Sequence, residues 1–127
     1  MEARALKKHI RSSPRKMRLV IDLIRGKSAQ ESLNILRFSN KLAARDAYRV
    51  LDSAIHNLLN KADDKEISVA ESEIFVKEVF VNCGPAMKRI QPAPMGRAFR
   101  VRKRSNHLTI VVATPQSEEA GIDNEDA

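Results

Sequence analysis

An apolar stripe at helical spacing is the feature of the sequence that most constrains its fold. Between positions 44 and 59, apolar side chains recur every three or four residues, and polar or charged side chains occupy most positions between them. The stripe consists of Ala44, Ala47, Tyr48, Leu51, Ala54, Ile55, Leu58 and Leu59. This period predicts an amphipathic helix of about five turns whose apolar side faces a core. Ser39 or Asn40 is its predicted N-cap.

Two shorter helices are predicted before this one from their start signals. Ser13 followed by Pro14 is typical of an N-cap and a first helical position, and Gly26 is the predicted end of this helix. Ser28 is followed three residues later by Glu31, a capping-box pattern that opens a second helix. The length of 127 residues predicts one domain that buries a modest core.

Segments rich in β-branched residues predict strands in both halves of the chain. Residues 74–81 and 108–113 are predicted strands, and a looser alternation over residues 2–11 predicts a third. Residues 61–72 are predicted to form a polar connection. The predicted fold class is α+β: three helices packed on a small three-stranded antiparallel sheet with a long projecting β-hairpin.

Glycine and proline residues between the last two predicted strands indicate the hairpin. With a turn near Ala93, the numbers of paired residues sum to about 187, so Gly84 would face Lys103 and Ile90 would face Arg97. Each arm would reach roughly 36 Å at about 3.3 Å per residue. That reach exceeds what packing in a small domain requires, so most of the hairpin is expected to project.

The hairpin region contains no acidic side chain. Residues 79–117 carry seven Lys and Arg and no Asp or Glu, and this segment accounts for the whole formal net charge of +7. An acid-free cationic ribbon favours an anionic partner: nucleic acid first, then an acidic membrane surface, then an acidic protein. A solvent-exposed edge strand with protective charges would explain one or two of these cations, but not seven.

A second basic block lies at the N-terminus. Residues 1–27 carry nine basic and two acidic side chains. Arg15, Lys16 and Arg18 surround the first turn of a predicted helix, where the helix dipole favours acidic groups. A phosphate bound near this turn would offset the unfavourable arrangement, and ordinary solvent-exposed cations are the alternative.

The sequence shows no catalytic or metal-binding constellation, so we expect no enzyme activity, no metal site and no cofactor. The single cysteine, Cys83, is interpreted as a small residue near a turn, with a reactive thiol as the alternative. His9, His56 and His107 lack metal-ligand spacing; His56 is predicted to be solvent-exposed, and His107 is a candidate RNA contact. The absence of an apolar run of about 20 residues, and of a signal peptide, favours a cytoplasmic protein without a membrane partner.

Three other functions fit parts of this pattern. A DNA-bending architectural protein also uses β-ribbon arms with a proline at the tip, but it acts as an intertwined dimer, for which the sequence gives no signal. A ribonuclease would need a paired acid and base, and no carboxylate lies near His107 in sequence. A helix-turn-helix protein would need a basic recognition helix, whereas the third predicted helix is nearly neutral.

Three separated segments of the chain resemble the bacterial large-subunit ribosomal protein L-twenty-two family. The first is residues 13–27, SPRKMRLVIDLIRGK, and the second is residues 84–90, GPAMKRI. The third comprises residues 96–98 and residues 102–112, which read GRA and RKRSNHLTIVV. Together they cover about residues 3–113 in the family's order.

The resemblance implies a structural protein of the large ribosomal subunit, present as one copy per ribosome, that binds large-subunit ribosomal RNA and supports subunit assembly. Its hairpin tip would line the nascent-peptide exit tunnel beside the large-subunit protein L-four and contact the nascent peptide. From charge and resemblance together, the expected RNA-binding residues are Arg11, Arg15, Lys16, Arg18, Arg25, Lys27, Lys88, Arg89, Arg97, Arg100, Arg102, Lys103, Arg104 and His107. The expected tunnel-lining residues are Met87, Lys88, Arg89, Met95 and Arg97.

The tip differs from the pattern that the resemblance implies. Family members usually carry basic residues where this chain has Ala93 and Met95, and a small residue in place of Pro94, so a less cationic tunnel wall is expected. Residues 1–115 are predicted to form a single domain that includes the hairpin over about residues 82–105. Residues 116–127 are predicted to be an acidic, disordered tail.

Overall fold

A computed structural model describes residues 1–115 and confirms an α+β fold with three helices and a small antiparallel sheet. The helices are α1 (Pro14–Ile21), α2 (Ala29–Arg37) and α3 (Ala43–Asp64). The strands are β1 (Glu2–Ile10), β2 (Phe75–Cys83), β3 (Met87–Pro92), β4 (Ala98–Lys103) and β5 (Asn106–Ala113). Within the described residues, β1, β5 and β2 form a three-stranded sheet in that order, and β3 pairs with β4 in a second sheet. The predicted acidic tail lies outside the described residues.

The apolar stripe of α3 lies at the centre of the core, which confirms the prediction. Ala47, Leu51, Ala54 and Leu58 have no exposed surface. They pack towards the sheet, where the central strand β5 contributes the equally buried side chains of Leu108, Ile110 and Val112. Fully burying a large apolar side chain contributes roughly 1.5–3 kcal/mol to folding, so this contact anchors the helix on the sheet.

The ends of α3 differ from the prediction. Neither predicted cap residue is used: Leu42 occupies the N-cap position without a side-chain hydrogen bond, and the Ser39 hydroxyl accepts the Lys41 N–H at 3.3 Å instead. The helix spans 22 residues and continues to Asp64. The predicted polar connection therefore begins too early, because buried Ala62 extends the apolar stripe by another turn.

The two short helices begin at their predicted caps. The Ser13 hydroxyl accepts the Lys16 N–H at 3.2 Å, and the Ser28 hydroxyl accepts the Glu31 N–H at 3.3 Å. Each bond satisfies one of the backbone donors that the first turn of a helix leaves unpaired. The local signals in the sequence were therefore sufficient to place both starts.

The first helix ends earlier than predicted. Its last residue is Ile21, and residues 22–26 form turns in which the Ile24 N–H donates to the Ile21 carbonyl at 3.1 Å. These tighter turns keep Ile24 buried while the chain turns towards the sheet. Gly26 adopts a φ of 77°, which suits glycine, but it belongs to the turns and not to the helix end.

Hydrogen bonds from neighbouring segments cover part of each outer edge of the three-stranded sheet. On β1, Lys61 Nζ and Asn57 Nδ2 of α3 donate to the carbonyls of Glu2 and Arg4, at 2.9 Å and 3.1 Å. On β2, the backbone of residues 27–29 makes two hydrogen bonds of 2.9 Å with the start of the strand. Covered edges do not offer a template for pairing with another chain.

The hairpin strands pair in a different register from the predicted one. Ile90 faces Arg100 and not Arg97, which is a shift of three residues. Lys103 accordingly faces Met87. In an antiparallel pair the position of the turn determines every partner along both strands, so the error must lie at the turn.

The turn is centred on Met95 and not near Ala93, which accounts for the register. Met95 and Gly96 adopt φ values of 65° and 69°, and the Ala93 N–H donates to the Arg97 carbonyl at 2.9 Å. A positive φ is easy for glycine and costly for methionine, so the sequence gives no sign that Met95 lies at the centre of the turn.

Short irregular segments separate the hairpin strands from β2 and β5. The Gly84 N–H donates to the Ser105 carbonyl at 2.9 Å, and the Ser105 hydroxyl donates to the Pro85 carbonyl at 2.7 Å. Pro85 has no N–H to donate, which interrupts the regular ladder at this level. Gly84 is therefore bonded to Ser105 and does not face Lys103 as predicted.

Candidate nucleic-acid interface

One face of the hairpin gathers four cations. Because directly opposed residues of antiparallel strands share a face, Lys88 lies beside Arg102, and Arg100 lies two residues further along the same face. Together with Arg104, which follows the end of β4, these side chains line a shallow depression. All four residues are exposed to solvent.

The opposite face combines cations with exposed apolar side chains. Arg89 and Lys103 lie on this face with Met87 and Phe99, and 62% of the Phe99 surface is exposed. Arg89 Nη2 lies 3.6 Å from Met87 Sδ. Cations on the same face as an exposed aromatic ring are typical of surfaces on which nucleic-acid bases stack.

The hairpin cations have no acidic partners within the described chain. Residues 79–115 contain no Asp or Glu. The ion pairs found among residues 1–115 join Lys7 to Asp46, Arg25 to Asp22, His56 to Asp52 and Lys77 to Glu2. The hairpin therefore presents uncompensated positive charge on both faces, which an external anion would neutralise.

The structure does not gather the predicted tunnel-lining residues into one cluster. Met87 and Arg89 share one face of β3, and Lys88 lies on the other. Met95 lies in the turn with 96% of its surface exposed. Arg97 lies at the end of the turn and directly precedes β4. Two of the five residues therefore lie at the tip, and three lie near the start of the hairpin.

Two histidines that are distant in sequence lie against each other at the base of the hairpin. The His9 N–H donates to His107 Nδ1 at 3.1 Å, and the ring centroids are 5.0 Å apart in an edge-to-face arrangement. Because Nδ1 accepts this bond, a neutral His107 carries its proton on Nε2 and presents a donor there. His9 was not predicted as a site residue; its φ of 58° at an irregularity of β1 depends on strand pairing that the sequence did not reveal.

Two arginines that were predicted to bind RNA donate hydrogen bonds to backbone carbonyls on the edge of β2. Arg18 Nη2 donates to the Val81 carbonyl at 3.3 Å, and Arg25 Nη2 donates to the Val79 carbonyl at 2.9 Å. Arg25 Nη1 also pairs with Asp22 at 2.8 Å. Both guanidinium groups thus attach α1 and the turns that follow it to the sheet. The sequence pattern did not predict this structural role.

The other predicted cations of the N-terminal block are exposed. The side chains of Arg11, Arg15, Lys16 and Lys27 form neither an ion pair nor a side-chain hydrogen bond within residues 1–115. They are therefore available to an external anion, whereas Arg18 and Arg25 already use part of their hydrogen-bonding capacity within the protein.

Comparison with known proteins identifies the family of this cationic hairpin and its α+β body. The family model described as ribosomal protein L22p/L17e matches residues 5–113. The chain belongs to this family. The match contains the three helices, strands β2 to β5 and residues 5–10 of β1, and it confirms the resemblance seen in the three sequence segments.

Curated relatives named large ribosomal subunit protein uL22 are similar to the chain over most of its length. The protein from Chlorobium phaeobacteroides is 49% identical over 114 residues, covering 90% of this chain and 96% of the relative. Those from Chlorobium phaeovibrioides and Chlorobium luteolum are 53% and 52% identical over 112 residues, covering 88% of this chain and 92% of each relative.

The L22p/L17e family consists of structural ribosomal proteins and not of enzymes, so the ribonuclease interpretation of His107 is rejected.

In the part of the chain that the structure describes, no group of three or more His, Cys, Asp and Glu is placed to hold a metal ion. No helix among residues 1–115 is long and apolar enough to cross a membrane. His56 is exposed as predicted, and Cys83 is exposed at the end of β2.

Proposed function

We propose that the protein is a structural constituent of the large ribosomal subunit that binds large-subunit ribosomal RNA and supports subunit assembly. The main support is the hairpin, whose Lys and Arg side chains are exposed on both faces without an acidic partner among residues 1–115. Phosphate groups supply the missing counter-charge, and Arg is suited to bidentate phosphate contacts. Membership of a ribosomal protein family supports ribosomal RNA as the nucleic acid.

The finer part of the proposal concerns the hairpin, which projects over about residues 82–105 and lines the nascent-peptide exit tunnel with its tip. All residues of β3 are exposed, as are all of β4 except half-buried Val101, which favours a hairpin that packs little against the body. The tip neighbours the tunnel protein L-four and contacts the nascent peptide. Met87, Lys88, Arg89, Met95 and Arg97 are the proposed tunnel-lining residues.

The remaining assignments follow from the same proposal. Residues 1–115 form one ribosomal-protein domain with one copy per ribosome, in the bacterial cytoplasm. The proposed RNA contacts are Arg11, Arg15, Lys16, Lys27, Lys88, Arg89, Arg97, Arg100, Arg102, Lys103, Arg104 and His107. Arg18 and Arg25 remain proposed contacts through the guanidinium N–H groups that do not hydrogen-bond within the protein.

Incorporation into large subunits tests the proposal. Replacing Arg100, Arg102 and Arg104 together by Ala should strongly reduce co-sedimentation of the tagged protein with large subunits, because three phosphate-binding groups are lost. The single substitution Met95→Ala should leave incorporation intact, because Met95 contributes shape and not charge. Equal incorporation of both variants would contradict a division of roles between the charged arms and the uncharged Met95 at the tip.

A charge-matched control separates a specific contact from a general loss of positive charge. Arg37, Arg45 and Arg49 are exposed on α2 and α3 and form no ion pair within the described residues. Replacing these three by Ala removes the same charge and should affect incorporation much less. Strong binding of the intact chain to bare duplex DNA as a dimer, with no association with large subunits, would favour the DNA-bending alternative instead.

A further inference from the structure

A groove between the start of α1 and the start of α3 includes side chains to which the proposed function gives no role. Its volume is about 510 Å³, within the range of about 300–1,000 Å³ typical of sites for small organic ligands. Arg11, Lys16 and Lys41 line it together with Leu19 and Leu42. The groove therefore combines cations and apolar surface in one concavity.

The groove has an excess of positive charge. Arg11, Lys16 and Lys41 are exposed, and none of them forms an ion pair within residues 1–115. The one carboxylate among the described lining residues, Asp46, already pairs with Lys7 at 2.9 Å. A ligand that complements the groove must therefore bring negative charge.

The groove also exposes apolar surface that an inorganic anion would leave uncovered. Leu42 is 77% exposed and Leu19 is 54% exposed. An apolar peptide would cover the two leucines but leave three cations without a counter-charge. A nucleotide satisfies both requirements, because its phosphate is anionic and the face of its base is apolar.

One wall of the groove is held in place by β5, the central strand of the three-stranded sheet. Asn106, the first residue of β5, is fully buried, and its Nδ2 donates to the Ser12 carbonyl at 2.8 Å and to the Ser12 hydroxyl at 2.7 Å. Ser12 lines the groove. This wall is therefore in place before a ligand arrives, which reduces the entropic cost of binding.

We propose that this groove binds one unstacked nucleotide of the large-subunit ribosomal RNA. Arg11, Lys16 and Lys41 hold its phosphate, and Leu19 and Leu42 cover the face of its base. The inference rests on the proposed function and adds to it a second RNA contact on the body, distinct from the hairpin. It assigns RNA-binding roles to Lys41, Leu19 and Leu42, which the proposed function leaves without one.

Cross-linking in the assembled subunit tests which partner occupies the groove. A photoreactive benzoylphenylalanine at position 42, in the full chain incorporated into large subunits, should cross-link to one nucleotide of the ribosomal RNA. The same group at position 23, where Leu23 is also exposed but does not line the groove, should not mark that nucleotide. A cross-link from position 42 to protein alone, or to no partner, would overturn the proposal.

Binding measurements separate the two parts of the site. Replacing Leu19 and Leu42 together by Ala should weaken binding to the ribosomal RNA about tenfold without changing its salt dependence, whereas Leu23→Ala should bind normally. Replacing Arg11, Lys16 and Lys41 by Gln should weaken binding and make the salt dependence shallower, by about one unit of log–log slope for each lost phosphate contact. Normal binding by both groove variants would contradict the inference.

The hairpin variant distinguishes failure of this inference from failure of the proposed function. If the triple Ala variant at Arg100, Arg102 and Arg104 loses ribosomal RNA while both groove variants bind normally, the hairpin proposal stands and the groove proposal fails. If the hairpin variant and both groove variants all bind as tightly as the native chain, both proposals fail.

Discussion

At the scale of single residues, Gly84 shows how closely the base of the hairpin is packed. An added Cβ at this position would lie 2.4 Å from Ser105 Oγ and 3.2 Å from His107 Cε1. Gly84 has no positive φ, so the requirement for glycine comes from space and not from backbone conformation. The Ser105 hydroxyl is also the donor to the Pro85 carbonyl, so a displaced Ser105 would lose that bond.

Gly84→Ala should lower the free energy of unfolding by about 1–3 kcal/mol, the usual cost of forcing extra volume into a packed site. Urea denaturation of the purified chain measures this change. Ser105→Ala removes the nearest atom, so the double variant should be less destabilised than the sum of the two single variants. Strict additivity would show that the contact between positions 84 and 105 does not cause the effect.

At the scale of elements, the edge of β2 depends on arginine side chains. Arg25 donates to the Val79 carbonyl and to Asp22, whereas Arg15 on the same segment has no such partner within the described residues. Arg25→Ala should therefore lower the free energy of unfolding by about 1 kcal/mol, since half of its side chain is exposed. Arg15→Ala should leave stability within about 0.5 kcal/mol of the native value and lower the affinity for ribosomal RNA. Equal loss of stability in both variants would contradict this division of roles.

An ion pair connects the two outer strands of the three-stranded sheet. Lys77 Nζ on β2 donates to Glu2 Oε1 on β1, across the intervening β5. This hydrogen bond lowers the pKa of the Glu2 carboxyl below its ordinary value of 4.5. Because the lowered pKa belongs to the folded state, the pair stabilises the fold above pH 4.5, and this contribution disappears as the pH falls through the folded-state pKa.

Glu2→Gln should therefore be less stable than the native chain at pH 7, and the difference should shrink as the pH falls well below 4.5. Chemical denaturation at a series of pH values measures both stabilities. Lys77→Met removes the other partner of the ion pair. The difference in stability between this variant and the native chain should also shrink at low pH. A stability difference that stays constant across this pH range would exclude the ion pair as its cause.

Sequence signals predicted these elements well where the signals are local. The stripe of α3 and the caps Ser13 and Ser28 each depend on residues a few positions apart, and all were confirmed. The predicted hairpin register was wrong because the register depends on the positive φ of Met95, and methionine does not indicate a turn. Contacts between distant strands, such as His9 with His107, could not be predicted without knowing that β1 pairs with β5.

The same distinction applies to the candidate interface. The absence of acidic residues identified the hairpin cations, because composition alone carries that signal. Composition could not separate Arg25, which covers a strand edge, from Arg15, which is free to contact an anion. The groove between α1 and α3 was also not predicted, because only the packing of the helices brings Lys41 and Leu42 to the same groove as Lys16 and Leu19.

At the scale of the whole molecule, positive charge lies in two blocks and negative charge is concentrated at the C-terminus. Residues 1–27 and residues 79–117 each carry a net charge of +7, whereas residues 118–127 carry five acidic side chains and no basic ones. If the two blocks neutralise about 6–10 phosphates, affinity for RNA should fall by about three to five decades between 50 and 200 mM salt. The acidic segment opposes this attraction.

Removing residues 118–127 eliminates those five acidic side chains and raises the formal net charge from +7 to +12. The truncated chain should bind ribosomal RNA more tightly at 50 mM salt, and its advantage should shrink at 200 mM because salt screens the repulsion between the acidic segment and RNA phosphates. Filter binding across this salt range measures both affinities. A full-length control with the five acids replaced by Asn and Gln should bind like the truncated chain, since it loses the charge and keeps the length. If only truncation increases affinity, the length of the segment and not its charge limits binding.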